Sequence, residues 1–347
     1  MKYNEIGNTG IKIPPIIFGT SALGNLYAEI DENTKIDIIN NCFKYMPSRP
    51  IVFDSAGKYG AGLALEMLGK CFLKLNINPE DVIISNKLGW MQTSLTTLEP
   101  TFEKGVWFGL ENDAIQNISY DGILKCWEQG NELLGESYCQ QLISVHDPDE
   151  YIIGSVNNNE YEKRFENVLD AYRALVEIKN KNKNIAVGIG AKNWKIIKQI
   201  SAKVDLDWIM FANSYTIYDH SQELLDFITE MDKKNVFIIN SAVFNAGFLI
   251  GGKYFNYQLI DPNNKENIHL YKWRDTFFKI CKEYNIEPSQ ACIHFGISHP
   301  AIASVALNTS NPKHVKKNIE EVQKDIPSEF YKELKNAGLI NPDYLYL

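Results

Sequence analysis

Basic residues are in short supply: 35 Lys and Arg against 43 Asp and Glu leave a formal net charge of -8. Such a chain lacks the positive surface that a phosphate backbone requires, so nucleic acid is not an expected partner. Cysteine is sparse as well. The six thiols (Cys42, Cys71, Cys126, Cys139, Cys281, Cys292) form no C-x-x-C pair and several fall in apolar helical patterns. They read as buried, reduced thiols, not as disulfides or metal ligands. No His-x-His pair occurs, and no metal site is expected. No run approaches the roughly 18 apolar residues of a membrane-spanning helix. Met1-Lys2-Tyr3-Asn4-Glu5 carries no apolar signal core. The expectation is a cytoplasmic protein without a membrane partner, in which the sequons at Asn117 and Asn308 are fortuitous.

What is present is enough apolar material, 45% of 347 residues, for a large core. Gly7-Asn8-Thr9-Gly10 between short β-like segments reads as a hairpin turn, since Asn and Gly accept positive φ. Eight short apolar runs follow: Ile16 to Thr20, Ile51 to Asp54, Val82 to Lys87, Gln141 to His146, Ile185 to Gly190, Trp208 to Asn213, Val236 to Ser241 and Ala303 to Leu307. They are continuous rather than alternating, as parallel strands buried on both faces are. Helical spacing fills the gaps between them, and two further helices are expected over Pro312 to Val322 and Ser328 to Ala337. Eight β/α units are the number a (β/α)8 barrel needs; a doubly wound sheet competes on counting alone. No interdomain linker interrupts the chain, so residues 1–347 read as one barrel domain. Two connections, Leu88 to Ser119 and Phe244 to His269, are longer than ordinary βα loops.

The polar ends of the strands attract the functional reading. The second run stops at Asp54, with Tyr59 five residues on; the third stops at Lys87 and the fourth at His146. Singly, each has a structural explanation: a turn-forming Asp, a solvent-seeking Lys, a satisfied His, a loop Tyr. Together at one rim they suit proton transfer. A phenol titrating near 10 becomes a usable acid or base if a lysine ammonium stabilises its phenolate. A carboxylate keeps that lysine charged, and an imidazole holds the substrate oxygen.

These four residues, Asp54, Tyr59, Lys87 and His146, resemble the catalytic tetrad of the aldo-keto reductases, and the likeness runs over essentially the whole chain. It implies a (β/α)8 TIM barrel with an N-terminal hairpin and additional C-terminal helices. It also implies an extended NADP or NAD cofactor without a Rossmann motif; Gly188-Ile189-Gly190 lacks the third glycine of that fingerprint. The resemblance puts Gly19, Thr20, Asp54, Asn193, Asn213, Ser241, Val243, Asn245, Gly247, Thr309, His314 and Asn318 at the cofactor. Asn240 stands where many members carry a stacking aromatic, and His314 replaces the usual arginine, so NAD is as plausible as NADP, with Lys313 or Lys316 as compensating charges. Ser119-Tyr120-Asp121-Gly122, His146-Asp147-Pro148-Asp149 and the tail Leu334 to Ile340 are similar to the aldose 1-dehydrogenase group, which includes L-fucose, L-galactose, D-threo-aldose and pyridoxal dehydrogenases. The expectation is oxidation of a free aldose, by a monomer or small homo-oligomer, with Trp90, Trp107 and Tyr120 as sugar-stacking candidates. A general aldehyde, ketone or pyridoxal reductase and a regulatory barrel without turnover are the alternatives.

Overall fold

A computed structural model describes residues 1–347. The chain opens with a two-stranded hairpin, β1 (Asn4–Glu5) and β2 (Lys12–Ile13), and then runs through β3 (Ile16–Gly19), α1 (Glu32–Tyr45), β4 (Ile51–Ala56), α2 (Leu63–Lys74) and β5 (Val82–Leu88). An antiparallel ribbon, β6 (Trp90–Ser94) with β7 (Asn112–Gln116), precedes α3 (Tyr120–Leu134), β8 (Leu142–His146), α4 (Pro148–Ile153) and α5 (Asn158–Lys181). Then come β9 (Ala186–Ala191), α6 (Trp194–Ser201), β10 (Trp208–Ala212), α7 (Gln222–Lys233) and β11 (Phe237–Ser241). The last elements are the small hairpin β12 (Tyr254–Phe255) and β13 (Gln258–Leu259), helices α8 (Ile268–Glu283) and α9 (Pro288–Gly296), strand β14 (Ile302–Asn308), and helices α10 (Pro312–Glu321) and α11 (Ser328–Asn336).

Eight parallel strands close in the order β3-β4-β5-β8-β9-β10-β11-β14, a (β/α)8 barrel. Strands β4, β5, β8 and β9 are buried along their entire lengths, which is why their sequences do not alternate. Inside, Val52, Ile83, Leu142, Ala186 and Trp208 from the N-terminal ends of the strands pack with Ile6, Ile11 and Ile13 of the hairpin segment. The hairpin therefore plugs the barrel floor and leaves the polar residues for the opposite rim. Side-chain caps fix several helix starts: Asp31, Ser119, Asn157 and Ser221 each accept from a backbone N–H in the first turn.

Glycine at 188 and 190 now has its reason. A Cβ at Gly188 would lie 2.1 Å from the Trp208 ring, and one at Gly190 would lie 3.2 Å from the Lys87 stem. These glycines make room inside the barrel, not for a pyrophosphate.

The long connection after β5 is not a plain loop, because Trp90 to Ser94 pairs residue for residue with Asn112 to Gln116. All six cysteines are free; Cys139 is exposed and the other five are buried. No helix is long and apolar enough to cross a membrane.

Candidate active site

The register of the barrel assembles the site. Asp54 on β4 stands opposite Ser85 on β5, and Lys87 lies two residues further along, on the same face. Asp54 Oδ1 accepts the Ser85 hydroxyl at 2.9 Å and Oδ2 accepts the Lys87 ammonium at 2.5 Å. The ammonium also donates to the Tyr59 hydroxyl at 3.2 Å. On the next strand His146 pairs with Gly190 of β9, and its ring meets the Tyr59 ring edge-on at 5.6 Å between centroids. Tyr59 is held by a close crossing of chains: a Cβ on Gly60 would sit 2.4 Å from the Gly24 carbonyl oxygen. The four residues expected to act together are thus in one cluster.

Electrostatics sharpens their states. Burial works against the Lys87 charge, but Asp54 and Tyr59 outweigh it and hold the ammonium above its ordinary range. Burial, aided by the Lys58, Lys87 and Lys192 charges, pushes His146 well below the usual imidazole range, so it stays neutral. For Tyr59 the outcome differs from expectation. Burial raises its phenol more than the Lys87 charge lowers it, and Asp54 and Asp147 add to the rise. Without further positive charge the group rests as a neutral phenol, an acid in waiting.

Around this cluster lie groups that the sequence did not single out. Buried Lys58 pairs with Glu103 at 2.6 Å and lies 3.9 Å from Glu150; Glu150 bonds Lys192 at 2.5 Å. Glu103 also accepts the Trp107 indole N–H at 2.7 Å, and the Trp107 ring lies 5.9 Å from that of Tyr59. Trp90 lies under the Lys58 ammonium, 5.2 Å from its ring centre. Tyr120 does not join them: its hydroxyl donates to Glu177 of α5 in the helical layer, because it begins α3 instead of ending the ribbon.

The residues expected at the cofactor occupy the ends of neighbouring strands. Thr20, after Gly19, sends both its N–H and its hydroxyl to the Asp54 carbonyl at 3.0 Å. Asn193 caps α6 by accepting the Lys195 N–H, and its own N–H goes to the buried Asp149 carboxylate at 2.7 Å. Asn213 and Asn245 keep buried side-chain oxygens without partners. Such orphans suit a group that brings its own N–H or O–H donors, as the carboxamide and ribose hydroxyls of a nicotinamide dinucleotide do. Ser241 is turned to the Phe211 carbonyl, Val243 packs into the core, and Gly247 adopts φ 94° with open space where a Cβ would be. Val243 therefore offers only its backbone. Asn240 bonds the carbonyls of Tyr215 and Gly296, which takes it out of any stacking role. Thr309 donates to the Asn311 carbonyl and accepts the Asn311 N–H; His314 lies 3.5 Å from it, with Asn318 buried one turn further along α10.

The family model for the aldo/keto reductases matches residues 15–338. The chain belongs to the aldo/keto reductase family. Among curated proteins this member is 27% identical to pyridoxal 4-dehydrogenase of Microbacterium luteolum over 97% of both chains. It is 24% identical to D-threo-aldose 1-dehydrogenase of a Pseudomonas species, over 95% of this chain and 96% of that one. The L-galactose dehydrogenase of Arabidopsis thaliana is 21% identical, over 93% and 88%. The solved glycerol dehydrogenase of Gluconobacter oxydans superposes with a TM-score of 0.69 at 15% identity, covering 99% of this chain and 97% of that one, a likeness of fold. The protein is an NAD(P)-dependent oxidoreductase of the aldo-keto reductase type.

Proposed function

We propose that this reductase oxidises the anomeric carbon of a free aldose to the lactone, with Tyr59, Lys87, Asp54 and His146 as its catalytic residues. The observation that carries the chemistry is the ammonium of Lys87 set between Asp54 at 2.5 Å and Tyr59 at 3.2 Å. The nicotinamide, when bound, takes up or returns the hydride and in its oxidised form carries a positive charge. Tyr59 as phenolate accepts the proton of the C1 hydroxyl; as phenol it returns one to a carbonyl oxygen. Lys87 stabilises the phenolate, Asp54 keeps Lys87 charged, and neutral His146 donates a hydrogen bond to the same substrate oxygen. The indoles of Trp90 and Trp107 offer apolar faces to a sugar ring.

The cofactor end favours NAD. Thr309 is occupied by Asn311, and His314 is exposed with one weak contact. Lys316 lies 3.6 Å from Glu320 and Lys317 within 3.7 Å of Glu287 and Glu321, carboxylates that weaken their pull on a 2'-phosphate and leave Lys313 as the lysine without such a neighbour. Absorbance of the reduced nicotinamide with NAD+ or NADP+ against L-fucose, L-galactose, D-arabinose and pyridoxal tests the reading. Turnover of pyridoxal alone favours the second reading, which the 27% identity to a pyridoxal 4-dehydrogenase supports. No turnover of any aldose or aldehyde overturns the enzymatic roles given to the tetrad.

A further inference from the structure

Beside the tetrad stands a carboxylate that has an ion-pair neighbour but accepts no hydrogen bond. Asp147 follows His146 directly, at φ 43°, a left-handed conformation that an aspartate tolerates better than most residues. Its Oδ2 lies 3.6 Å from His146 Nε2 and 3.3 Å from the Lys192 ammonium. Neither oxygen accepts a hydrogen bond; the backbone N–H and carbonyl of the residue are used, by Gly190 and Tyr151, but the side chain is not. Lys192 is engaged chiefly elsewhere, with Glu150 at 2.5 Å, and its ammonium lies over the Tyr257 ring at 5.1 Å. It stands at the end of β9, one residue before Asn193, and keeps a third N–H to give. Asp147 is only 13% exposed and Lys192 33%. The pair is a partly dried, complementary acceptor and donor next to His146 of the tetrad; the Asp147 charge is felt at both Tyr59 and Tyr257.

We propose that Asp147 and Lys192 form a hydroxyl clamp: Asp147 accepts from, and Lys192 donates to, the hydroxyl on the carbon next to the one that reacts. This deepens the aldose reading, on which it rests for its natural substrate, and names the substrate class as α-hydroxylated carbonyl compounds and their cyclic forms. The chemistry suits the site. His146 is neutral and offers one N–H to the reacting oxygen, so a second oxygen needs partners of its own, and a carboxylate next to an ammonium can satisfy both the hydrogen and the lone pairs of an alcohol.

The test compares reduction of glyceraldehyde with that of propanal, which shares the three-carbon skeleton without the hydroxyls. Both are assayed with the wild type and with Asp147→Asn and Lys192→Met. The wild type is expected to favour glyceraldehyde in kcat/KM by roughly 10- to 100-fold, the value of a charge-assisted hydrogen bond, and each variant to bring that ratio towards one. A wild-type ratio near one, or variants that lose activity on both aldehydes equally, overturns the clamp, the second result marking the pair as structural. Oxidation of the aldose panel is read separately. A clamp that operates on glyceraldehyde in an enzyme that oxidises no aldose refutes the proposed substrate and leaves the clamp standing.

Discussion

At the residue, the deciding quantity is the state of Tyr59. Burial holds the phenol above its usual range despite Lys87, so the neutral form dominates at pH 7 and the two directions of the reaction depend on pH differently. Reduction uses the phenol and is expected to be flat through neutrality. Oxidation uses the phenolate and is expected to rise steadily with pH into the alkaline range. An oxidation rate that levels off near pH 7 in a steady-state pH profile would show that another group supplies the base. Tyr59→Phe should lower kcat by about 10²- to 10⁴-fold, the usual worth of a positioned acid or base. The cofactor dissociation constant, followed by protein fluorescence, should stay where it was. At the other end of the cofactor, His314→Arg introduces a permanent, two-pronged donor beside Thr309. It should raise kcat/KM for NADP+ by about tenfold and leave the value for NAD+ within a factor of two; equal gains for both would mean that the residue does not meet the 2'-phosphate.

Among the elements, what could be read from the residues separates cleanly from what could not. Buried parallel strands bear continuous apolar runs, so all eight barrel strands and the helices between them were legible, as was the meeting of Asp54, Tyr59, Lys87 and His146 at one rim, because each lies near the end of a strand or just after one. The ribbon was not. Trp90 to Ser94 and Asn112 to Gln116 mix polar and apolar residues, are for the most part partly exposed, and are separated by a long connection without a tight-turn dipeptide, so neither periodicity nor turn chemistry marks them. The short α4 had one sign, Pro148 at its first position. Lys58, Glu103 and Glu150 gave no sign, since ion pairing across three elements leaves no spacing in the sequence. Their arrangement explains how the connection is held. Tyr27 N–H donates to the Val106 carbonyl at 2.8 Å, while Glu103 grips both the Lys58 ammonium and the Trp107 indole. Glu103→Ala removes both contacts and leaves Lys58, 6% exposed, with the distant Glu150 as its one carboxylate and the Trp90 ring beneath it. A loss of about 1–3 kcal/mol is expected in urea unfolding, together with a higher KM as Trp107 loosens from Tyr59. An unchanged KM would show that Trp107 is cover alone.

For the molecule as a whole, the rim chemistry and stability share one buried group. Asp149, 2% exposed, ties α4 to the end of β9 by accepting the N–H groups of Lys192 and Asn193 at 3.1 and 2.7 Å, while its other oxygen is buried without a partner. Burial foremost, and then the Asp147 charge, raises its carboxyl from 3.8 to about 6. In that window the folded protein holds a proton that the unfolded chain has already released, so this group's stabilisation is complete below its unfolded value and is lost as pH rises through about 6. At 1.36 kcal/mol for each pH unit the loss is about 3 kcal/mol. Asp149→Asn keeps an oxygen for the two N–H groups and cannot ionise. Its unfolding free energy relative to wild type should therefore improve by about that amount between pH 4 and pH 7, whatever constant offset the new amide brings. Parallel urea titrations at the two pH values, giving the same difference at both, would show that the carboxyl is already ionised in the fold at pH 4 and that the two backbone donors outweigh its burial.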